Sequence, residues 1–142
     1  MLIGIPPVLS PELLKILMEM GHGDEIVLAD GNFPSASIAK RLVRLDGHGV
    51  PPILDAVLTF FPLDYYVERP VSFMAVNAGD AYKPVVQDEY REIIERRASG
   101  AKIEMLERFK FYERAKQSYA VVATGEGARY ANVILKKGVV TQ

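Results

Sequence analysis

Six short strand-like runs alternate with helix-patterned stretches between Ile26 and Leu135, with no repeat, linker or low-complexity tract among them. That alternation limits the chain to a layered arrangement, because strands apolar on both faces must be covered by helices. The expectation is one α/β domain over residues 1–142, with helices packed around a central mixed β-sheet. The order of the strands is not readable from the sequence.

The runs are Ile26–Ala29, Arg41–Leu45, Val71–Val76, Ile103–Leu106, Tyr119–Ala123 and Val133–Leu135. Ser10-Pro11-Glu12 opens the first helix, with a capping hydroxyl followed by proline at the first helical position. Leu13, Leu14, Leu17, Met18 and Met20 then recur at helical spacing, and Gly21 is placed to stop the helix in a left-handed conformation. A short helical piece at Ser35–Ala39, a helix over Val50–Phe60 opened by Pro51-Pro52, an amphipathic helix over Pro84–Arg97 and another over Phe109–Gln117 complete the pattern.

Composition removes several classes of function. Seventeen basic and eighteen acidic residues give a net charge of -1, which supplies no electrostatic footprint for a nucleic acid or an anionic membrane. The absence of cysteine excludes disulfides, thiolate metal sites and cysteine nucleophiles, and two histidines leave little material for zinc, so neither metal nor cofactor is expected. No stretch approaches the roughly 18 apolar residues of a membrane span. The opening MLIGIPPVLSPELL lacks the basic and apolar regions of a secretory signal, so the cytosol is the expected compartment.

Four loci carry groups able to do chemistry. His22 lies between Gly21 and Gly23 just after the first helix, an unshielded imidazole suited to acid/base work or, alternatively, to capping the helix. Asp30 and Asn32 follow an apolar strand, where α/β proteins commonly bind ligands, although Asp-Gly-Asn is also ordinary turn chemistry. In the segment Glu107–Arg114, Arg108 opens a helix with a planar fork able to hold a polyol or a carboxylate, although a solvated helix face is the simpler alternative, and Tyr112 has the character of a structural side chain. The stretch Thr124–Asn132 is rich in glycine but has no phosphate-binding motif and precedes a strand, so Tyr130 and Asn132 suit a small polar ligand better than a nucleotide. The simpler alternative there is a long hairpin loop with Tyr130 packed at its base. His48, in Asp46-Gly47-His48-Gly49, is expected in a surface loop.

In their order, SPELLKILMEMGHGDEIVLAD at Ser10–Asp30, the Asp-Gly-Asn-Phe-Pro turn, RFKFYERA and YANVILKKGVV make the chain resemble the family shared by L-fucose mutarotases and D-ribose pyranases, on the fucose branch. The resemblance covers essentially the whole sequence. It implies a cytoplasmic, cofactor-independent isomerase that interconverts the α and β anomers of a free monosaccharide, most naturally L-fucose. It further implies a proton donor at His22, sugar contacts at Asp30, Arg108, Tyr130, Ala131 and Asn132, and a homo-oligomer, decameric, with sites near subunit contacts. Asn32 stands where bacterial fucose enzymes often carry histidine. Two other functions use the same residues: a ribose-type pyranose/furanose interconversion, and a non-catalytic sugar-binding module in which His22 only hydrogen-bonds.

Overall fold

In a computed structural model describing residues 1–142, the elements follow the expected alternation. They are α1 (Pro11–Glu19), β1 (Glu25–Ala29), α2 (Ser35–Ile38), β2 (Leu42–Leu45), α3 (Val50–Leu58), β3 (Val71–Met74), α4 (Val85–Arg97), β4 (Ile103–Leu106), α5 (Arg108–Gln117), β5 (Ala120–Thr124) and β6 (Val133–Lys136). The strands form one sheet in the order β2-β5-β1-β6-β3-β4. Five strands run in one direction, and β6 lies antiparallel between β1 and β3. The sheet is therefore mixed, as expected, and β1 separates β5 from β6. The segment between those two strands is consequently not a hairpin loop but a crossing over the end of β1.

Alternation along each strand divides the core between the two faces of the sheet. Ile26, Leu28, Val122, Val133 and Leu135 join the larger cluster, packed against α1, α3 and α4. Val27, Ala29, Val121 and Ile134 join the smaller one, which Phe33 and, from α5, Phe111 and Ala115 complete. Burying each large apolar side chain contributes about 1.5–3 kcal/mol, so the fully buried Phe73, Phe111 and Leu13 are among the strongest anchors of the helical layers.

The Ser10 hydroxyl accepts the Leu13 N–H at 3.2 Å, as the first helix required. Its other end differs from expectation. The chain leaves α1 through Met20 in an extended conformation, and the left-handed residue is Gly23, at φ 86°. Gly21 instead donates its N–H to the Asp24 carboxylate at 2.7 Å. No helix is long and apolar enough to cross a membrane.

Asp55 on α3 receives Arg96 at 2.9 Å and Arg97 at 2.8 Å, tying α3 to α4. The hydrogen bond from Arg97 is the main cause that holds its carboxyl down at about 2. A carboxyl with a depressed folded pKa stabilises the fold above its unfolded value near 4 and loses that contribution as the pH falls toward 2. Asp55→Asn is therefore expected to lower the melting temperature at pH 6, with the gap to wild type closing between pH 4 and pH 2. A gap that stays constant over that range in thermal melts would exclude the ion pairs as its source.

Candidate functional site

The residues that follow the parallel strands gather at the carboxyl end of the sheet, together with the segment that leads into β6. Asp30 follows β1, Met74 ends β3, Arg108 opens α5 just after β4, and Tyr130 and Asn132 precede β6. They line a cleft of about 260 Å³ together with Asn32, Phe33, Asn77, Tyr112 and Arg129. This is the crevice beyond the carboxyl ends of strands where open α/β sheets bind ligands. Its volume lies below the roughly 300–1,000 Å³ of drug-sized sites, so it suits a single small molecule. A wider cleft of about 470 Å³ lies between residues 62–70 and 98–102, with Asp64 and Tyr65 in its wall.

Asp30 is buried at the base of the cleft. Its N–H donates to Asn132 Oδ1 at 2.8 Å, and its Oδ1 accepts the Asn32 N–H at 3.0 Å. Burial pushes its carboxyl above the ordinary aspartate value, against the opposing pull of the surrounding backbone N–H groups and Asn132. Arg108 makes no salt bridge. Its guanidinium lies 5.5 Å from the ring centres of Phe109 and Tyr112, with Nε 3.4 Å from the Tyr112 hydroxyl. A cation without a carboxylate partner beside a buried carboxylate offers both donor and acceptor to neutral hydroxyl groups.

Tyr130 has φ 55°, a left-handed conformation that costs a bulky residue about 1–3 kcal/mol. Two side chains of α4 hold it there. The buried Gln87 amide donates to the carbonyls of Met74 and Tyr130, both at 2.9 Å, and the Tyr90 hydroxyl donates to the Ala131 carbonyl at 2.9 Å. Burial drives the Tyr90 phenol far above its usual pKa, so it stays a neutral donor. Ala131 is fully buried and lies behind the cleft rather than on its wall, with its carbonyl already taken.

The glycine-rich stretch before Tyr130 is not a phosphate cradle. A Cβ on Gly125 would lie 2.1 Å from the Asp46 carbonyl oxygen, so glycine is needed there for close passage of two loops. The N–H groups of Gly125, Glu126 and Ala128 are bonded within the protein, and the Glu126 carboxylate sits among them, accepting from Val50 and Ala128. No three His, Asp or Glu side chains are grouped to hold a metal ion.

His22 is elsewhere. It precedes β1 whereas Asp30 follows it, and the intervening strand puts about 16 Å between the two ends. Asp30 therefore does not orient His22 within one chain. Asp64 does, accepting from Nε2 at 3.1 Å while the same oxygen takes the Tyr66 N–H at 3.0 Å. Asp64 is buried, and the imidazole is about half exposed, with the Tyr66 ring 5.3 Å away. An ionised Asp64 can only accept, so a neutral His22 carries its proton on Nε2 and presents a free Nδ1 lone pair. His48, as expected, is exposed in a loop.

The structure thus brings together Asp30, Arg108, Tyr130 and Asn132, places Ala131 behind them, and sets His22 at the opposite end of the sheet. Asp64, Gln87, Tyr90 and Arg129 escaped the sequence reading. Only Asp64 left a trace, as a lone carboxylate in the otherwise apolar and aromatic Phe61-Pro-Leu-Asp-Tyr-Tyr66.

A model of the RbsD / FucU transport protein family matches residues 3–140. An L-fucose mutarotase of Actinobacillus pleuropneumoniae serotype 5b is 51% identical over 140 residues, covering 98% of this chain and 97% of the relative. Among solved structures, the fucose mutarotase of Streptococcus pneumoniae in complex with L-fucose superposes with a TM-score of 0.95 at 54% identity, over 99% of this chain and 100% of the other. Bacillus subtilis RbsD complexed with D-ribose is more distant, with a TM-score of 0.71 at 28% identity over 94% and 95% of the two chains.

Proposed function

The chain belongs to the RbsD/FucU family, and from that premise we propose that it is an L-fucose mutarotase, an isomerase that interconverts the α and β anomers of the free sugar. The observation that carries this reading is the cleft itself. A buried carboxylate, an unpaired guanidinium, a carboxamide and a phenol converge on a space sized for one small polyol. Relatives near 50% identity are named as fucose enzymes, whereas the ribose-bound relative shares 28%, which favours fucose over ribose as substrate.

Anomer exchange opens the hemiacetal: the ring oxygen gains a proton, the anomeric hydroxyl loses one, and the C1–O5 bond breaks to leave the open-chain aldehyde. Rotation about C1–C2 presents the other carbonyl face, and closure reverses both transfers. Asp30, Arg108, Tyr130 and Asn132 hold the hydroxyls. His22 moves the proton through Nδ1, whose lone pair no protein group occupies and which can take a proton on ring opening and return it on closure. Its bond to Asp64 fixes the ring.

One sugar cannot touch two groups set about 16 Å apart on opposite ends of a strand. The catalytic arrangement is therefore proposed to form between copies, with the cleft of one chain facing the His22–Asp64 pair of a neighbour. This accords with the homo-oligomer, a decamer, that the resemblance implies, and the proposed setting is the cytoplasm.

Saturation-transfer NMR at the anomeric protons of L-fucose, with D-ribose in parallel, tests the proposal. Protein at micromolar concentration is expected to accelerate α/β exchange of fucose more than interconversion of ribose. Saturable fucose binding without faster exchange would leave a sugar-binding module in its place.

A further inference from the structure

Between β3 and α4 the chain makes a short excursion, residues 77–83, whose one carboxylate turns back toward the cleft. Asp80 Oδ2 lies 2.7 Å from the Tyr130 hydroxyl and 2.6 Å from Arg129 Nη2, while Oδ1 accepts the Tyr82 N–H at 2.9 Å. The Arg129 guanidinium lies 4.7 Å from the Tyr82 ring centre and 5.4 Å from that of Tyr130, so the carboxylate, the cation and two rings form one unit. Asp80 is outside the cleft lining, whereas Arg129 and Tyr130 are in it.

The direction of these bonds has a chemical consequence. A phenol has one proton, and a carboxylate only accepts, so the Tyr130 O–H points at Asp80. The Asn77 N–H, 3.4 Å away, adds a donor to the same oxygen. What remains for a ligand is lone-pair density. These donors, first of them Tyr130 and then the Tyr82 N–H, also hold the Asp80 carboxyl below the usual range, so it stays an acceptor at neutral pH.

We propose that Asp80 is a positioning residue of the sugar site, which turns the Tyr130 hydroxyl proton out of the cleft so that the phenol oxygen meets the substrate as an acceptor. This rests on the mutarotase reading above. Tyr130 then selects a ligand group that donates, while Arg108 supplies the donor that the same polyol must accept. Such a contact to a hydroxyl remote from the anomeric carbon is the same in the closed and open sugar. Its loss weakens ground state and transition state alike and raises KM with little change in kcat.

The variant Asp80→Asn keeps the shape but gives Tyr130 a competing donor. Fucose exchange measured by saturation-transfer NMR is expected to show KM raised by about three- to tenfold, the size of one neutral hydrogen bond, with kcat changed less than about twofold. Tyr130→Phe is expected to raise KM similarly, and the double variant no further than about twofold beyond either single one, because both remove the same contact. Melting temperatures of all three check the fold. If Asp80→Asn does not fold, Asp80→Ser keeps an oxygen for the Tyr82 N–H and takes its place. Unchanged KM, or KM effects that multiply in the double variant, would overturn the role given to Asp80. An inactive wild-type protein would instead remove the mutarotase reading, and this proposal with it.

Discussion

His22→Ala is expected to slow the exchange of fucose anomers by about 10²–10⁴-fold, the range that a positioned acid/base group contributes. The imidazole is half exposed, its Nε2 is committed to Asp64, and the remaining ring nitrogen has no protein partner. A histidine serving only as a structural link would not need that second nitrogen free. Alanine also strips a hydrogen bond from a buried carboxylate, and a buried acceptor that loses a partner destabilises by about 1–3 kcal/mol. His22→Gln separates the two effects. Its amide can still donate to Asp64, but it neither takes nor gives up a proton near pH 7. Both variants are expected to lose exchange, with the glutamine protein melting close to wild type. Full exchange in His22→Gln would reduce His22 to a hydrogen-bonding contact and favour the sugar-binding module.

Much of the fold was legible because strand and helix periods are properties of neighbouring residues. The run from Ile26 to Ala29 is buried on both faces and is apolar throughout, so it announces a central strand. The sheet order was not legible, since β6 enters between β1 and β3 through pairings 60 or more residues apart in sequence. Asp30, Arg108, Tyr130 and Asn132, which line one cleft, could be picked out as candidates because each stands at an element boundary where the sequence changes character. Gln87 and Tyr90 were invisible for the opposite reason. They lie within α4, where they pass for ordinary helix residues, and only the tertiary structure turns them toward the carbonyls of Tyr130 and Ala131. The pairing of His22 with Asp64 spans 42 residues and has no local pattern at all. The motifs named His22 and Asp30 without saying that they lie at two ends of one strand.

That separation leads to the sharpest test. A chain with His22→Ala retains an intact cleft, and a chain with Asp30→Asn retains an intact His22–Asp64 pair. Each homogeneous protein is expected to be poorly active. Asp30→Asn removes charge from the group at the base of the cleft, and charged hydrogen bonds contribute about 1.5–3 kcal/mol, a loss of roughly 10- to 150-fold. Co-expressed in equal amounts, the two chains assemble at random. If every site combines the cleft of one copy with the histidine of the next, about one site in four pairs an intact cleft with an intact His22, as head-to-tail contacts in a closed ring allow. Exchange is then expected to recover to about a quarter of the wild-type rate, well above either variant. If each site lay within a single chain, no mixed assembly could hold a complete one, because every chain lacks either His22 or Asp30. Activity in the mixture equal to the mean of the two variants, with mass spectrometry confirming mixed oligomers, would therefore refute the shared site. Recovery would identify the neighbouring copy as the source of the proton-transferring group, and would explain how a cleft without a histidine of its own catalyses proton transfer.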